Sequence, residues 1–156
     1  AAEKGIPFLP LRGILGSDLL RVRPDWKVID NPYSENDPLV LIPAIKPDFA
    51  LFHAKVADRE GNVWVGVRRE LMLMAHAAIR TLVTVEVVQE ASLLEDPALA
   101  AGTIPALYVD RICEAPGGMR PLGFDGAPAD DAWVKAYVDA ARSHDGFADF
   151  LAKWTA

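Results

Sequence analysis

The sequence has little cysteine, no cluster of basic residues and no long apolar run, and each absence excludes a class of protein. Its 156 residues include one cysteine, Cys113, so an internal disulfide is impossible and a reduced, cytoplasmic compartment is expected. The 16 Lys and Arg residues are dispersed among 22 Asp and Glu residues, so neither nucleic acid nor an anionic membrane is expected as a partner. No apolar run reaches the ~18 residues of a membrane span, and no stretch resembles a signal peptide.

Hydrophobic residues are plentiful and make up 51% of the chain. A chain of this length holds one ordinary globular core more readily than two, so a single main domain is expected. The first residues, AAEKGIPFLPLRG, are typical of the last turn of a helix, with Gly5 as its C-cap and Pro7 just beyond. The chain begins with Ala1 and not with Met. Removal of an initiator Met would explain this, and so equally well would a chain that is a fragment of a longer one.

Hydrophobic periodicity predicts an alternation of strands and helices. The predicted elements are strands at 39–45, 48–57 and 63–65, a helix at 68–80, a strand at 81–88, a helix at 93–101 and a strand at 106–115. The segment 81–88 is β-branched and almost continuously apolar, as in a strand buried on both faces of a parallel sheet. This alternation predicts an α/β fold with an open, mostly parallel sheet, flanking helices and right-handed crossovers.

Two amphipathic helices are predicted after the turn at 116–118 and a loop rich in Gly, Pro and Asp. Their apolar stripes are Trp133, Val134, Tyr137, Val138 and Ala141, then Phe147, Phe150, Leu151 and Trp154. A partner surface is one interpretation, but stripes at helical spacing usually serve a core, so packing on the sheet is favoured. The predicted organisation is a main domain at 1–121 and a helical extension at 122–156 that packs on the sheet.

The residue patterns alone give several weak candidate sites. His53 precedes an acidic turn at 58–62, but its glycine and glutamate do not fit an EF-hand, and His53 and His76 lack a third zinc ligand nearby. No metal site is therefore predicted. Cys113 has no activating base close in sequence and is expected to be a small core residue. The Gly and Ser residues at 13–17 form a flexible loop that can present N–H groups to an oxyanion.

Glu35 lies in a Ser-Glu-Asn triplet before the predicted strand 39–45, and a carboxylate can act as a nucleophile in acyl transfer. Its neighbours, however, are almost all turn formers. They are Asn31, Pro32, Ser34, Asn36, Asp37 and Pro38. Glu35 is therefore predicted to be an exposed turn residue.

Four segments in order carry a resemblance to a known family. They are GIPFLPLRGILGSDLL, LVLIPAIKPDFALFHAKVADREGNVWVG, AHAAIRTLVTVEVV and VDRICEAPGGMRP, within residues 5–121. This pattern resembles the α subunit of family I CoA transferases of the glutaconate type. The tail looks closer to relatives that hydrolyse ring carbon–carbon bonds of CoA thioesters in steroid breakdown. The resemblance implies a partial CoA-transferase fold, because the family's Gly-rich N-terminal half has no counterpart in the sequence.

The resemblance also implies a function shared between subunits. The chain would be the part of an α subunit without the nucleophile, in an enzyme that moves CoA between an acyl-CoA and a carboxylic acid. The expected partners are a β subunit and the missing N-terminal half, in a hetero-oligomer, with a CoA thioester as substrate and no permanently bound cofactor. A ring-cleaving hydrolase and a non-catalytic ligand-binding module of the same broad fold remain alternatives.

Candidate site residues follow from the same resemblance. Gly16, Ser17 and Asp18 match the family's GSD loop, which faces the acyl pocket near the subunit boundary. The family's H..AD..GN segment is matched by His53, Asp58, Gly61 and Asn62. Glu86 is expected to be either a buried acid near the site or the polar end of its strand. Structural alternatives stay open, with Asp18 as a helix cap and the H..AD..GN residues fixing a strand connection. No catalytic residue is expected in this chain, since the family's glutamate nucleophile lies in the β subunit and the hydrolases' glutamate would lie upstream of Ala1.

Overall fold

Two separate β-sheets organise the chain in the computed structural model, which describes residues 1–154. The strands are β1 (Phe8–Leu11), β2 (Lys27–Asp30), β3 (Pro38–Pro43), β4 (Phe49–Asp58), β5 (Val63–Trp64), β6 (Arg80–Gln89), β7 (Thr103–Ile104) and β8 (Arg111–Glu114). The helices are α1 (Leu19–Val22), α2 (Arg69–Ala77), α3 (Pro97–Ala100), α4 (Asp131–Ala140) and α5 (His144–Ala152), with 3-10 turns at Ala2–Lys4 and Ala106–Tyr108. None of the helices in the described part has the length and apolar character that a membrane crossing requires.

The larger sheet has five strands in the order β7-β5-β4-β6-β8. Its centre is parallel, because β6 pairs in parallel with both β4 and β8, whereas β5 and β7 add an antiparallel edge. The predicted α/β class is therefore confirmed, but the sheet is mixed, with two parallel and two antiparallel pairings where a mostly parallel sheet was predicted. The parallel register places His53 of β4 beside Thr84 of β6.

The hydrophobic core lies on one face of this sheet. Ala54, Val83 and Val85 are buried there and cluster with Leu71 and Ala75 of α2. The prediction that the strand at 81–88 is buried on both faces is wrong, because burial in β6 alternates. Thr81, Val83 and Val85 are buried, and Leu82, Thr84 and Glu86 are only half-buried. The second face of the sheet therefore has room for a site.

A second sheet, with the order β1-β3-β2, is antiparallel and precedes the five-stranded sheet in the chain. Its central strand matches the strand predicted at 39–45, but β1 and β2 have no counterpart among the predicted elements. Each is four residues long and mostly exposed, so neither has the apolar alternation that marks a half-buried strand.

Two predicted elements need correction. The helix predicted at 93–101 is the single turn α3, because Pro97 starts it and Asp96 caps it through a bond from Ala98 N–H. The strand predicted at 106–115 is a 3-10 turn followed by the short strand β8. Pro105 separates this turn from β7, and the N–H of Ala106 bonds to a side chain instead of a strand.

Cys113 is exposed, so its prediction as a core residue is wrong. It lies on β8, the edge strand of the five-stranded sheet, and its register partner is Thr84. Partners in parallel register share a face, so Cys113 projects on the second face of the sheet, opposite the core.

The tail forms the two predicted helices. Asp130 caps α4 by accepting Trp133 N–H at 2.9 Å, and Ser143 caps α5 by accepting Gly146 N–H at 3.1 Å. The aromatic rings of these helices contact one another, as in the edge-on pair of Trp133 and Phe150 at 5.2 Å. Packing of the extension 122–156 on the sheet stays a prediction, and residues 155 and 156 lie outside the described residues.

Candidate functional site

Two neighbouring parallel strands bring His53, Thr84 and Glu86 together on the second face of the five-stranded sheet. His53 and Thr84 are partners in the register, and Glu86 follows at the two-residue spacing that returns a side chain to the same face. His53 Nδ1 lies 2.8 Å from Thr84 Oγ1, and His53 Nε2 lies 2.8 Å from Glu86 Oε1. His53 is only 6% exposed, so the protein itself occupies both ring nitrogens.

The Glu86 carboxylate is the acceptor at the centre of this group. Gly117 donates its backbone N–H to Glu86 Oε2 at 2.7 Å, and the His53 ring bonds to Oε1. The bond from Gly117, followed by that from His53, holds the pKa of Glu86 below its usual value. An ionised carboxylate only accepts hydrogen bonds, so His53 Nε2 donates to Glu86 Oε1.

Residues 115–128, named here the wall segment, contact this face of the sheet. Gly118 lies so close to His53 that a Cβ at this position would be 3.1 Å from the imidazole. The ring of Phe124 meets His53 edge-on with 4.9 Å between centroids, and the Arg68 guanidinium lies over the Phe124 ring. The same Cβ would lie 2.9 Å from the Ala115 carbonyl oxygen, so a larger residue at 118 would force a local shift of the segment.

A cavity of about 540 Å³ lies between the strands and the wall segment. Glu86 and Lys55 line it from the sheet, and Arg120, Leu122 and Phe124 are among the residues that line it from the wall segment. Lys55 also pairs with Asp125 at 2.9 Å. The lining combines apolar side chains with charges of both signs, which suits a small organic ligand with apolar and ionic parts.

The loop at 13–18 follows β1 and has its own internal bonds. Ser17 donates its hydroxyl to the Ile14 carbonyl at 2.8 Å. Asp18 precedes α1 but accepts no capping hydrogen bond, and its carboxylate pairs with Arg21. Gly16 has a φ of 76°, so valine at this position is strained whatever it touches and cannot serve as a test of ligand contact.

The loop at 13–18 and the His53 group do not share the cavity. Among the described residues, the lining of the cavity comes from positions 55–128. Gly16, Ser17 and Asp18 therefore stay predicted substrate contacts of a second surface. Glu35 lies in an exposed turn between β2 and β3, as predicted, beside Asn36 with a φ of 54°.

Asp58 and Asn62 form a buried turn between β4 and β5. Asp58 accepts the backbone and side-chain N–H groups of Asn62 and the N–H of Leu93, while Asn62 accepts from Ala106 N–H. Burial alone would raise the pKa of Asp58, but the bonds from Leu93 and Asn62 outweigh it and lower the pKa. These contacts join three loops and favour the structural interpretation. Within residues 1–154, no three His, Cys, Asp or Glu side chains are grouped closely enough to hold a metal ion.

Comparison with known proteins identifies the family. Residues 18–115 match the family described as Coenzyme A transferase. The chain belongs to this family. It is 34% identical over 156 residues to one of the subunits of 3-oxoadipate CoA-transferase from Pseudomonas knackmussii, an alignment with 97% of this chain and 53% of the relative. It is 31% identical to the cholesterol ring-cleaving hydrolase IpdA subunit of Rhodococcus jostii, over 99% of this chain and 55% of the relative.

Two solved structures share the fold of this chain. The chain matches glutaconate coenzyme A-transferase from Acidaminococcus fermentans with a TM-score of 0.82 and 28% identity, over 98% of this chain and 53% of that one. It matches a variant of the decarboxylase AibA/AibB with a TM-score of 0.83 and 34% identity, over 99% of this chain and 55% of that one. The chain thus spans about half the length of the relatives it matches.

Within this Coenzyme A transferase chain, the geometry adds residues that sequence reasoning missed. They are Thr84, Gly117, Gly118 and Phe124, which surround His53 and Glu86. The two-residue strand period was the available signal for Thr84, because it places Thr84 and Glu86 on one face. Gly117 is 31 residues from Glu86, and no local pattern indicates that contact.

Proposed function

We propose that this chain is the part of a CoA-transferase α subunit that does not carry the nucleophile. The whole enzyme moves CoA from an acyl-CoA to a carboxylic acid, with a CoA thioester as substrate and no permanently bound cofactor. The observation that supports this most strongly is the match of 98% of the chain to glutaconate coenzyme A-transferase with a TM-score of 0.82. The family match at 18–115 supports it independently of the fold.

The proposed partners are a β subunit and a counterpart of the half of the relatives that this chain does not match. The Pseudomonas relative is itself named as a subunit, which supports assembly with a further polypeptide. In this proposal the β subunit supplies the glutamate nucleophile, which forms a thioester with CoA and splits the transfer into two steps. The assembly is a hetero-oligomer, and its cytoplasmic location stays a prediction.

The proposed substrate site has two surfaces. His53 and Glu86 shape the cavity beside the wall segment, where Lys55 and Arg120 offer cations to an anionic part of the acyl-CoA. The loop with Gly16, Ser17 and Asp18 is proposed to face the acyl group against the partner subunit. The Ser17 hydroxyl would then exchange its bond to the Ile14 carbonyl for one to the ligand.

Hydrolysis of a carbon–carbon bond is a second candidate function. The observation that favours it is the 31% identity to the ring-cleaving hydrolase over 99% of this chain. Transfer is preferred because the matched family is described as Coenzyme A transferase and the 3-oxoadipate CoA-transferase subunit is the more similar of the two relatives, at 34% identity.

The experiment that tests this proposal compares the chain alone with the complex it forms in its own host. Both preparations are assayed for exchange of labelled CoA between acyl-CoA and a free acid, and for addition of water to a cyclic CoA thioester by mass spectrometry. We expect exchange only where a second polypeptide copurifies. Exchange at an enzymatic rate by the chain alone would contradict the missing nucleophile. Water addition without exchange would replace the transferase by the hydrolase.

A further inference from the structure

We propose that Glu86 and His53 are positioning residues that fasten the wall segment to the five-stranded sheet. In this role the two side chains fix the shape of the cavity, and neither has to contact the ligand. The inference concerns the chain itself and does not depend on the proposed transfer of CoA.

The hydrogen bonds of Glu86 are the first observation that supports this proposal. Both of its carboxylate oxygens are already used, Oε1 by the His53 ring and Oε2 by the Gly117 N–H. Glu86 belongs to β6, whereas Gly117 belongs to the wall segment, so this side chain joins the two. A hydrogen bond to an ionised acceptor is stronger than one between neutral groups, and the Gly117 N–H donates to such an acceptor.

His53 supports the proposal in two ways. It hydrogen-bonds Glu86, and it contacts the wall segment directly. Its Nδ1 is bound to Thr84, which fixes the ring so that Nε2 points at Glu86. Gly118 and the edge-on ring of Phe124, both in the wall segment, lie against the His53 ring. A buried imidazole in this position therefore serves as the support on which the segment rests.

Two other attachments, at Ala115 and Asp125, flank the Gly117–Glu86 bond in the wall segment. Ala115 donates its N–H to the Val85 carbonyl at 2.7 Å, and Asp125 pairs with Lys55 at 2.9 Å. The Lys55 and Asp125 side chains are about half exposed, so water and salt weaken that pair. Arg120, Leu122 and Phe124, which line the cavity, lie between Gly117 and Asp125. The Gly117–Glu86 bond is thus a charge-assisted attachment at the cavity that does not depend on the half-exposed Lys55–Asp125 pair.

Hydrogen exchange of the Gly117 amide in this chain tests the proposal. Glu86→Ala removes the acceptor, and we expect Gly117 exchange to accelerate by about tenfold or more, as loss of a charge-assisted bond implies. Glu90→Ala is the matched control, because Glu90 is an exposed carboxylate paired with Arg59. The control should leave Gly117 exchange within about twofold of wild type, as for surface changes in general.

Glu86→Gln provides the conservative variant. Its amide oxygen can still accept from Gly117, while its NH₂ group can donate to His53 Nε2 once the ring proton moves to Nδ1 and bonds to Thr84. We therefore expect Gly117 protection in Glu86→Gln to lie close to wild type and well above Glu86→Ala. In wild type the Gly117 amide proton shift should change as Glu86 titrates, and in Glu86→Gln that change should disappear.

Folding is monitored through the amides of Val83 and Val85, which belong to the core. If these stay protected and Gly117 exchange in Glu86→Ala is unchanged, the attachment does not exist and the proposal is overturned. If Glu86→Ala does not fold, the titration of the Gly117 shift in wild type and its absence in Glu86→Gln decide the question. In that case, a Gly117 amide proton shift with the same pH dependence in wild type and in Glu86→Gln would overturn the proposal.

Discussion

The two sheets of this chain use similar apolar residues and differ in how those residues are covered. In the five-stranded sheet, Val83 and Val85 are buried against Leu71 and Ala75 of α2. In the three-stranded sheet, the one fully buried residue among the described strand positions is Val40. The strands of both sheets are paired through backbone hydrogen bonds, but only the five-stranded sheet has a cluster of buried side chains. Pairing alone therefore does not produce a core.

The register explains why the three-stranded sheet stays exposed. One face carries Leu9, Val28, Val40 and Ile42, and the other carries Phe8, Ile29, Leu39 and Leu41. A sheet that is apolar on both faces needs a packed layer on each, which a single short chain segment does not supply. The comparison teaches that backbone pairing defines strands in both sheets, whereas packing of a second layer determines which side chains are buried.

The largest expected effect comes from placing a charge in the core of the five-stranded sheet, with a matched substitution in the three-stranded sheet as the comparison. Val85→Asp puts an unpaired carboxylate at a position that is 0% exposed, and it should destabilise the chain by at least ~4 kcal/mol. Val28→Asp, at a position that is 53% exposed in the three-stranded sheet, should change stability by less than ~1 kcal/mol. Urea unfolding followed by circular dichroism measures both. Equal losses would mean that the two sheets share one core.

A smaller effect is expected at the turn between β4 and β5. Asp58→Asn replaces an acceptor of N–H groups from Asn62 and Leu93 by an amide that cannot accept them all, and it should cost about 2–4 kcal/mol. Asp25→Asn breaks only an exposed pair with Arg23 near the three-stranded sheet and should leave the urea midpoint unchanged. A fully active, equally stable Asp58→Asn variant would remove the structural role of this turn.

The pH dependence of the three-stranded sheet should be confined to strong acid. Bonds from Arg12 and Asn31 lower the pKa of Asp37 from an ordinary value of 3.8 to about 2. Because the pKa is lower in the folded state, the stabilisation that ionised Asp37 contributes is fully present above pH 3.8. It is lost as the pH falls through about 2. The ¹³C shift of the Asp37 carboxyl should titrate near that value. Arg12→Gln should raise the midpoint, and an unchanged midpoint would contradict the pairing.

The smallest effect is expected at Glu35, in the turn that leads into the three-stranded sheet. Because the side chain is exposed in this turn, Glu35→Gln should leave the CoA-exchange rate of the assembled enzyme within about twofold of wild type. Steady-state kinetics would check this. A thousandfold loss would restore Glu35 as a nucleophile and overturn the proposal that the nucleophile lies in another chain.

The same contrast explains what the sequence could predict. β4 and β6 are long apolar runs and α2 has a helical apolar stripe, because each packs in or against the core, and these patterns predict all three elements. The strands β1 and β2 have exposed side chains on both faces, so no such pattern marks them. The polar character of Glu86 in an apolar strand makes it a candidate, but its bond to Gly117 depends on how the chain returns after β8.

Pro10 in β1 has a further consequence for the three-stranded sheet. Ala44 donates to the Pro7 carbonyl, so the two-residue repeat turns the N–H groups of Leu9 and Leu11 towards β3 and the backbone nitrogen of Pro10 outwards. Proline has no N–H, and the outer edge of β1 therefore lacks a donor where an added strand would need one. Growth of this sheet by edge-to-edge aggregation is blocked on that side. A strand that extends this sheet is therefore expected beside β2, the other edge, whose four residues include no proline.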